Sequence, residues 1–404
     1  EALRFSMGIE RQGYNLFVMG PAGAGKKTLA DRFLKERAAT RPTPSDWCYV
    51  HNFDQPHRPR ALMLPAGRGV EFERDMCRAV EELKSSLSVL MESDEYRSRL
   101  EEVENEFNER EEGAFQEVGD EAERRGIALL RTPAGFGLAP MREGEVLGPD
   151  EFGKLPEEEQ ERYQQALEEM RERLHKVIRQ APQWVREKRE RVRALNQEFT
   201  EIAVAHLFDE LTASYGDIPP VGDYLAAVRR DLLERSEDLF RGEDEQIPPF
   251  LLPALGRGRF HRYRVNVLIS RREDGGAPVI YLDQPTYPNL IGRTEHMEHM
   301  GNLVTDFTLI KAGALHEANG GYLLLDAREL LKQPFAYEGL KRALAANTIR
   351  IDSPAQMIAP VSTVSLQPEP IPLDVKVIVY GERLLYFLLC EYDPDFRELF
   401  KVAA

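Results

Sequence analysis

Apolar residues along this chain follow two different rhythms. Toward both ends they gather in short strand-like segments: Tyr14-Asn-Leu-Phe-Val-Met19, Trp47-Cys-Tyr-Val-His-Asn-Phe53, Pro278-Val-Ile-Tyr-Leu282, Gly321-Tyr-Leu-Leu-Leu-Asp326 and Asp374-Val-Lys-Val-Ile-Val-Tyr380. Runs of this length between turn residues predict strands buried on both faces, and hence a mostly parallel sheet flanked by helices. A polar helix is predicted from Thr28 to about Ala39. The segment 262–270 alternates like a half-buried strand, and Asp274-Gly-Gly276 after it carries a hairpin signal.

Through the middle of the chain the spacing changes to three and four in a field of Glu, Arg and Gln. One arm, about Gly69 to Arg125, places Val80, Leu83, Leu87, Leu90, Leu100, Val103 and Phe107 on one face. A second, about Pro156 to Ser214, does the same with Leu167, Met170, Leu174, Val177, Val192, Leu195, Phe199 and Ile202, and Pro182 is expected to break or kink it. Between them Ile127-Ala-Leu-Leu-Arg-Thr-Pro-Ala-Gly-Phe136-Gly-Leu-Ala-Pro reads as a turn-rich hairpin. An antiparallel coiled coil with a β-hairpin tip accounts for all three segments. Leu130, Phe136 and Leu138 in that tip are candidate substrate-contacting residues, because apolar side chains on a charged stalk are hard to explain as plain solvent surface. A helix at about 223–240 and the prolines at 219–220 and 248–249 hinge the insertion back. The expected organisation is therefore residues 1–70 as the first part of the core, 71–246 as the coiled-coil insertion with its tip near 127–148, and 247–404 as the second part of the core.

The first run leads into candidate chemistry. Gly20 and Gly25-Lys26 have the spacing of the nucleotide-binding P-loop, in which glycines let successive backbone N–H groups turn toward a phosphate at a helix N-terminus. Lys26 would reach the outer phosphates. The next position normally carries a hydroxyl that ligates Mg²⁺, but here it is Lys27. Thr28 comes one residue late, about 100° around the helix. The matching acidic strand, Gly321-Tyr-Leu-Leu-Leu-Asp326, ends in a carboxylate suited to holding Mg²⁺. Ala327 follows it, where a glutamate commonly polarises the attacking water, and Glu329 would need a bent strand end to take that role. Gly20, Gly25, Lys26, Thr28 and Asp326 thus form a degenerate nucleotide site. On this reading no cofactor is required, and whether ATP or ADP still binds is open. No cysteine or third histidine extends His296-x-x-His299 into a metal set, so no metal site is expected.

Charge narrows the partners. A net charge of −16 argues against nucleic acid or an anionic membrane as the main partner, and no apolar run approaches the ~18 residues of a membrane span. Three scattered cysteines exclude a disulfide framework, which points to the cytoplasm. The chain starts without methionine and ends on an apolar note, so it reads as a middle piece of a longer protein.

The block Asn289-Leu-Ile-Gly-Arg-Thr-Glu295, continuing through Thr305-Asp-Phe-Thr-Leu-Ile-Lys-Ala-Gly-Ala-Leu-His-Glu-Ala-Asn-Gly-Gly-Tyr-Leu-Leu-Leu-Asp326, closely resembles Lon-like proteases of the LonC type. The P-loop strand, Arg58-Pro-Arg60, Gly67-Arg-Gly69 and Asp393-Pro-Asp-Phe-Arg-Glu-Leu-Phe-Lys-Val402 do so as well. The resemblance implies an α/β AAA+-like P-loop core with a long α-helical coiled-coil insertion carrying a β-hairpin tip, assembled into a hexameric ring. It also implies a Ser–Lys proteolytic domain, expected after residue 404. The chain would then be the substrate-recognition and gating module of a cytoplasmic Lon-type protease acting on unfolded proteins, ATP-independent because its nucleotide motifs are degenerate. It would supply no catalytic residue and be a poor ATPase. Met297, Met300 and Phe307 lie where such rings place axial pore loops and are further candidates for gripping an unfolded chain. Arg397 is the candidate for a trans-acting arginine, with an ordinary helix-surface role as its alternative. Two other readings remain: an active coiled-coil P-loop ATPase handling DNA or protein, and a pure ring-assembly scaffold.

Overall fold

In the computed structural model the described residues are 8–9, 11, 13–21, 23, 25–132, 135–142, 144–240, 258–299, 302–352 and 366–404. The chain divides into two compact units. The first comprises Glu1–Lys84, Ala205–Asp231 and Gly242–Ala404, and the second Ser85–Val204 and Leu232–Arg241.

In chain order the elements used below begin with β1 (Leu16–Met19), α1 (Lys26–Ala38), β2 (Asp46–Val50), β3 (Arg60–Leu64), α2 (Arg68–Glu92) and α3 (Asp94–Arg124). The hairpin strands β4 (Ile127–Thr132) and β5 (Gly135–Arg142) follow, then α4 (Glu157–Tyr215), α5 (Pro219–Glu234), β6 (Val265–Ile269), β7 (Val279–Leu282) and α6 (Tyr287–Ile291). The last stretch holds β8 (Gly292–Thr294), β9 (Met297–His299), β10 (Asn302–Val304), β11 (Ile310–Ala312), α7 (Ala314–Glu317) and β12 (Gly321–Asp326). It closes with α8 (Ala327–Lys332), α9 (Ala336–Ala346), β13 (Val375–Gly381), α10 (Arg383–Tyr392), α11 (Pro394–Leu399) and β14 (Val402–Ala403).

The first unit is organised by a five-stranded parallel sheet in the order β14-β1-β13-β12-β7. Successive residues of a strand point to opposite faces, so β12 feeds two cores. Tyr322 and Leu324 pack with Ala30, Leu34 and Ala38 of α1 on one face. Leu323 and Leu325 pack with Leu315, Leu330, Leu340 and Phe396 on the other. The continuous apolar runs are thus explained: these strands are covered on both sides.

Three expectations change. The strands at 46–50 and 265–269 do not join the parallel sheet; with β3 they make a separate antiparallel sheet, β3-β2-β6. Consequently Asp274-Gly-Gly276 does not close a hairpin, because β6 and β7 lie in different sheets. Gly276 has φ 66°, and its N–H bonds the Thr43 hydroxyl, so the turn ties the chain to the end of α1 instead. The terminal apolar residues, which the sequence offered no use for, form β14, the edge strand beside β1.

In the second unit the first arm is not one helix. Ser93 interrupts it and caps α3, its hydroxyl accepting from the Tyr96 N–H. Pro182, by contrast, sits inside α4 without ending it. The two helices run antiparallel: Tyr96 bonds Asn196 at 2.8 Å, Arg110 bonds Glu187 at 2.9 Å, and Arg125 bonds Glu169, so partners on α4 fall in number as those on α3 rise. β4 and β5 pair antiparallel from Ile127↔Pro140 to Thr132↔Gly135. Among the described residues no helix is long and apolar enough to cross a membrane.

Candidate functional site

The P-loop connects β1 to α1 at the carboxyl end of the parallel strands, where open α/β sheets take their ligands. Gly25 caps α1 in the left-handed region at φ 69°, and Gly23 lies at φ 78°; both conformations suit glycine. Gly20 donates its N–H to the Gly381 carbonyl at 3.1 Å, which fixes the loop to β13.

What the charged groups of this loop do is the most specific feature of the site. Lys26 turns its ammonium back onto its own loop, donating to the carbonyls of Gly20 and Pro21, each at 2.7 Å. Lys27 leaves in another direction, and its Nζ sits over the Tyr281 ring, 3.2 Å from the centroid. That ring is itself held: Tyr281 donates its hydroxyl to Asp283 at 3.0 Å and accepts from the Tyr380 hydroxyl at 3.3 Å. Burial first, and then the bond to Tyr281, push the Tyr380 phenol well above its ordinary pKa, so it stays a neutral donor. Thr28 is exposed and has no place in this cluster.

The acidic strand end is also committed. Asp326 is the N-cap of α8, and its Oδ1 accepts from the N–H groups of Arg328 (2.8 Å) and Glu329 (3.2 Å). Ala327 is buried in the core with Phe17 and Val379 rather than lining an open site. A Cβ on Gly381 would lie only 2.9 Å from that of Ala327, so this corner has no spare room. Glu329 pairs with Lys332 at 2.7 Å, one turn along α8. Sequence reasoning missed Tyr281 and its pairing with Tyr380. The available signal was two aromatics ending β7 and β13 at the carboxyl edge of the sheet.

The candidate gripping residues divide. Met297, on the β9–β10 hairpin, is about half exposed, and Leu303 across the same hairpin is 74% exposed and was overlooked. Met300 lies outside the described residues. Phe307 is a correction: it is buried between the rings of His51 and His261, and Asn266 bonds its carbonyl, so it belongs to the core. In the β4–β5 hairpin, Phe136 stacks on Phe115 with centroids 4.2 Å apart, and Leu138 packs toward Val118 and Met170. Those two side chains fill the hairpin's own core, while Leu130, on the other face, points outward. Arg397 stands exposed on α11. Among the described residues no group of three or more His, Cys, Asp or Glu is placed to hold a metal.

A parallel sheet with a P-loop after strand β1 and an aspartate ending β12, on either side of the central β13, defines an α/β core of the AAA+-like class. A family model for the LonB-like AAA domain matches residues 275–404, and one for the Lon-like LonC helical domain matches residues 46–79. Together the two matches support a Lon-like protein of the LonC type. No curated protein matches the chain. Among solved structures, NtrX from Brucella abortus is similar at 21% identity and a TM-score of 0.22, over 31% of this chain and 26% of that one. The chain therefore spans about a quarter of that protein's length.

Proposed function

We propose that this chain is the substrate-recognition and gating module of a Lon-type cytoplasmic protease, taking unfolded proteins without ATP hydrolysis. The observation that carries this reading is that the charged side chains of the P-loop and the acidic strand end are already engaged within the chain. Lys26 is bonded to loop carbonyls, Lys27 is seated on Tyr281, Asp326 caps α8, and Ala327 is buried. Phosphoryl transfer depends on positioning metal, water and phosphate, and in this arrangement Lys26, Lys27 and Asp326 each serve an internal contact instead.

With hydrolysis gone, client capture rests on surface chemistry. The exposed Met297 and Leu303 on one short hairpin, and Leu130 on the other, are apolar contacts that hold an unfolded chain without reading its sequence. On this reading residues 71–246 act as an antiparallel coiled-coil arm whose hairpin, 127–148, presents the client to a homo-oligomeric ring, hexameric in the family it resembles. The nucleotide site is a structural remnant within that ring.

Capture of a denatured, fluorescently labelled protein tests the proposal. Capture is expected to be the same with and without Mg-ATP, and weaker once residues 127–148 are replaced by a short turn. Capture that requires ATP, or that survives the replacement unchanged together with Met297→Ser and Leu303→Ser, would overturn it.

A further inference from the structure

The stretch of α4 from Arg171 to Arg193 holds nine Lys and Arg against three Glu, within a chain whose net charge is −16. Two of the nine are committed: Arg189 pairs with Glu237 at 3.1 Å, and Lys188 lies 3.9 Å from Glu104. One of the acids is committed too, since Glu187 pairs with Arg110. The other seven basic side chains are exposed and form no ion pair among the described residues.

Their order is periodic. An aliphatic residue followed by arginine recurs every seven positions, as Ile178-Arg179, Val185-Arg186 and Val192-Arg193. Ile178 is 43% and Val185 64% exposed, and Pro182 between them is exposed as well. At about 100° per residue the aliphatic row and the arginine row run side by side along the helix. An apolar row and a charged row that share a seven-residue period are what one helix of a coiled coil offers another. α4 meets α3 through a different set of side chains, with Trp184 beneath Arg110 and Phe199 against Tyr96. The row of Ile178 and Val185 is therefore a second seam, and it is uncovered.

Its chemistry selects an occupant. The unpaired arginines call for carboxylates or phosphates. A phosphate backbone has no use for the exposed aliphatic row, and between Arg171 and Arg193 no exposed Phe, Tyr or Trp offers a base a ring to stack on. A seven-residue repeat advances about 10.5 Å along a helix and stays in register with another helix, whereas an extended chain returns to the same side about every 6.6 Å and drifts out of register. A second copy of this chain does not fit: α3 carries thirteen Asp and Glu against four Arg, but none of its large apolar side chains is exposed. We propose that this seam of α4 binds an acidic amphipathic helix of a partner protein. Aliphatic residues of that helix cover Ile178 and Val185, and its carboxylates, seven residues apart, pair with Arg179, Arg186 and Arg193. Such docking is independent of client capture by the hairpins.

Titrating the full chain into a labelled three-heptad peptide, with Leu at a and d and Glu at e and g, tests this by fluorescence anisotropy. Glu on both flanks keeps the peptide from pairing with itself. Binding is expected, and it should weaken as salt is raised. The combined variant Arg179→Glu, Arg186→Glu and Arg193→Glu is expected to weaken it by about tenfold or more, the worth of three exposed ion pairs together. The same variant should gain affinity for a peptide with Lys at e and g, a rescue that a misfolded arm cannot give. Equal binding of a scrambled peptide of the same composition overturns the helical occupant in favour of an extended acidic chain. A labelled DNA oligonucleotide that binds the native chain more tightly than the peptide overturns it in favour of nucleic acid. Peptide binding that is absent, or that the combined variant leaves unchanged, overturns the docking itself.

Discussion

Lys27 is the residue that most sets this loop's contacts apart. A side chain with a hydroxyl would stay near the loop, whereas the lysine reaches Tyr281 and makes an internal cation–aromatic contact. The native chain is therefore expected to bind a nucleoside triphosphate weakly and equally with and without Mg²⁺. Calorimetry showing tight, Mg²⁺-dependent binding would contradict this. Lys27→Ala should lower stability by about 0.5–1 kcal/mol, the range of an exposed cation–π contact, read as a small fall in the unfolding midpoint. His316 is a second informative residue. It is buried in α7, its Nδ1 accepts from the Gly313 N–H, and its Nε2 has no partner among the described residues. Burial lowers its pKa from 6.5 to about 3. A histidine kept neutral in the folded state favours folding fully above its unfolded pKa, and that contribution is lost as pH falls toward the folded value. Stability should thus decline between pH 6.5 and about 3, by about 1.4 kcal/mol for each pH unit of that histidine's shift. His316→Asn keeps an acceptor for Gly313 and should flatten the decline; an equal decline in the variant would assign it elsewhere.

At the scale of elements, what the sequence revealed depended on whether the signal was local. Parallel strands such as 321–326 and 375–381 are continuous apolar runs because both faces are covered, and that pattern reads directly. Strand β2 carries a similar run and β6 an alternating one, yet both lie with β3 in another sheet, because pairing partners are set by tertiary packing that neither local pattern encodes. Ser93 was legible in principle, as a capping residue followed by Asp94 and Glu95 at a helix start. At the candidate site the glycines, Lys26, Lys27 and Asp326 were legible from spacing. The Tyr281–Tyr380 seat for Lys27 was not, since it needs β7 and β13 brought to the same edge of the sheet. Pro182 went against its local signal: α4 continues through it, at the cost of an N–H donor and a clash with the preceding turn. Pro182→Ala is accordingly expected to stabilise the second unit, by about 1–3 kcal/mol after allowing for the more flexible unfolded chain. A thermal midpoint that does not rise would show that α4 has already absorbed the proline without strain.

At the scale of the whole molecule, the parallel sheet retains the architecture of a nucleotide-driven core while its charged groups serve the chain itself. Lys26 stitches the loop, Asp326 starts a helix, and Ala327 closes the hydrophobic core beside Gly381. The central claim is that this core handles clients without turning over ATP. Steady-state phosphate release in the presence of Mg-ATP, with and without a denatured protein, measures it most directly. The account predicts no release above the buffer rate, and the same result for Lys26→Ala. Sustained release stimulated by the denatured protein and abolished by Lys26→Ala would contradict it.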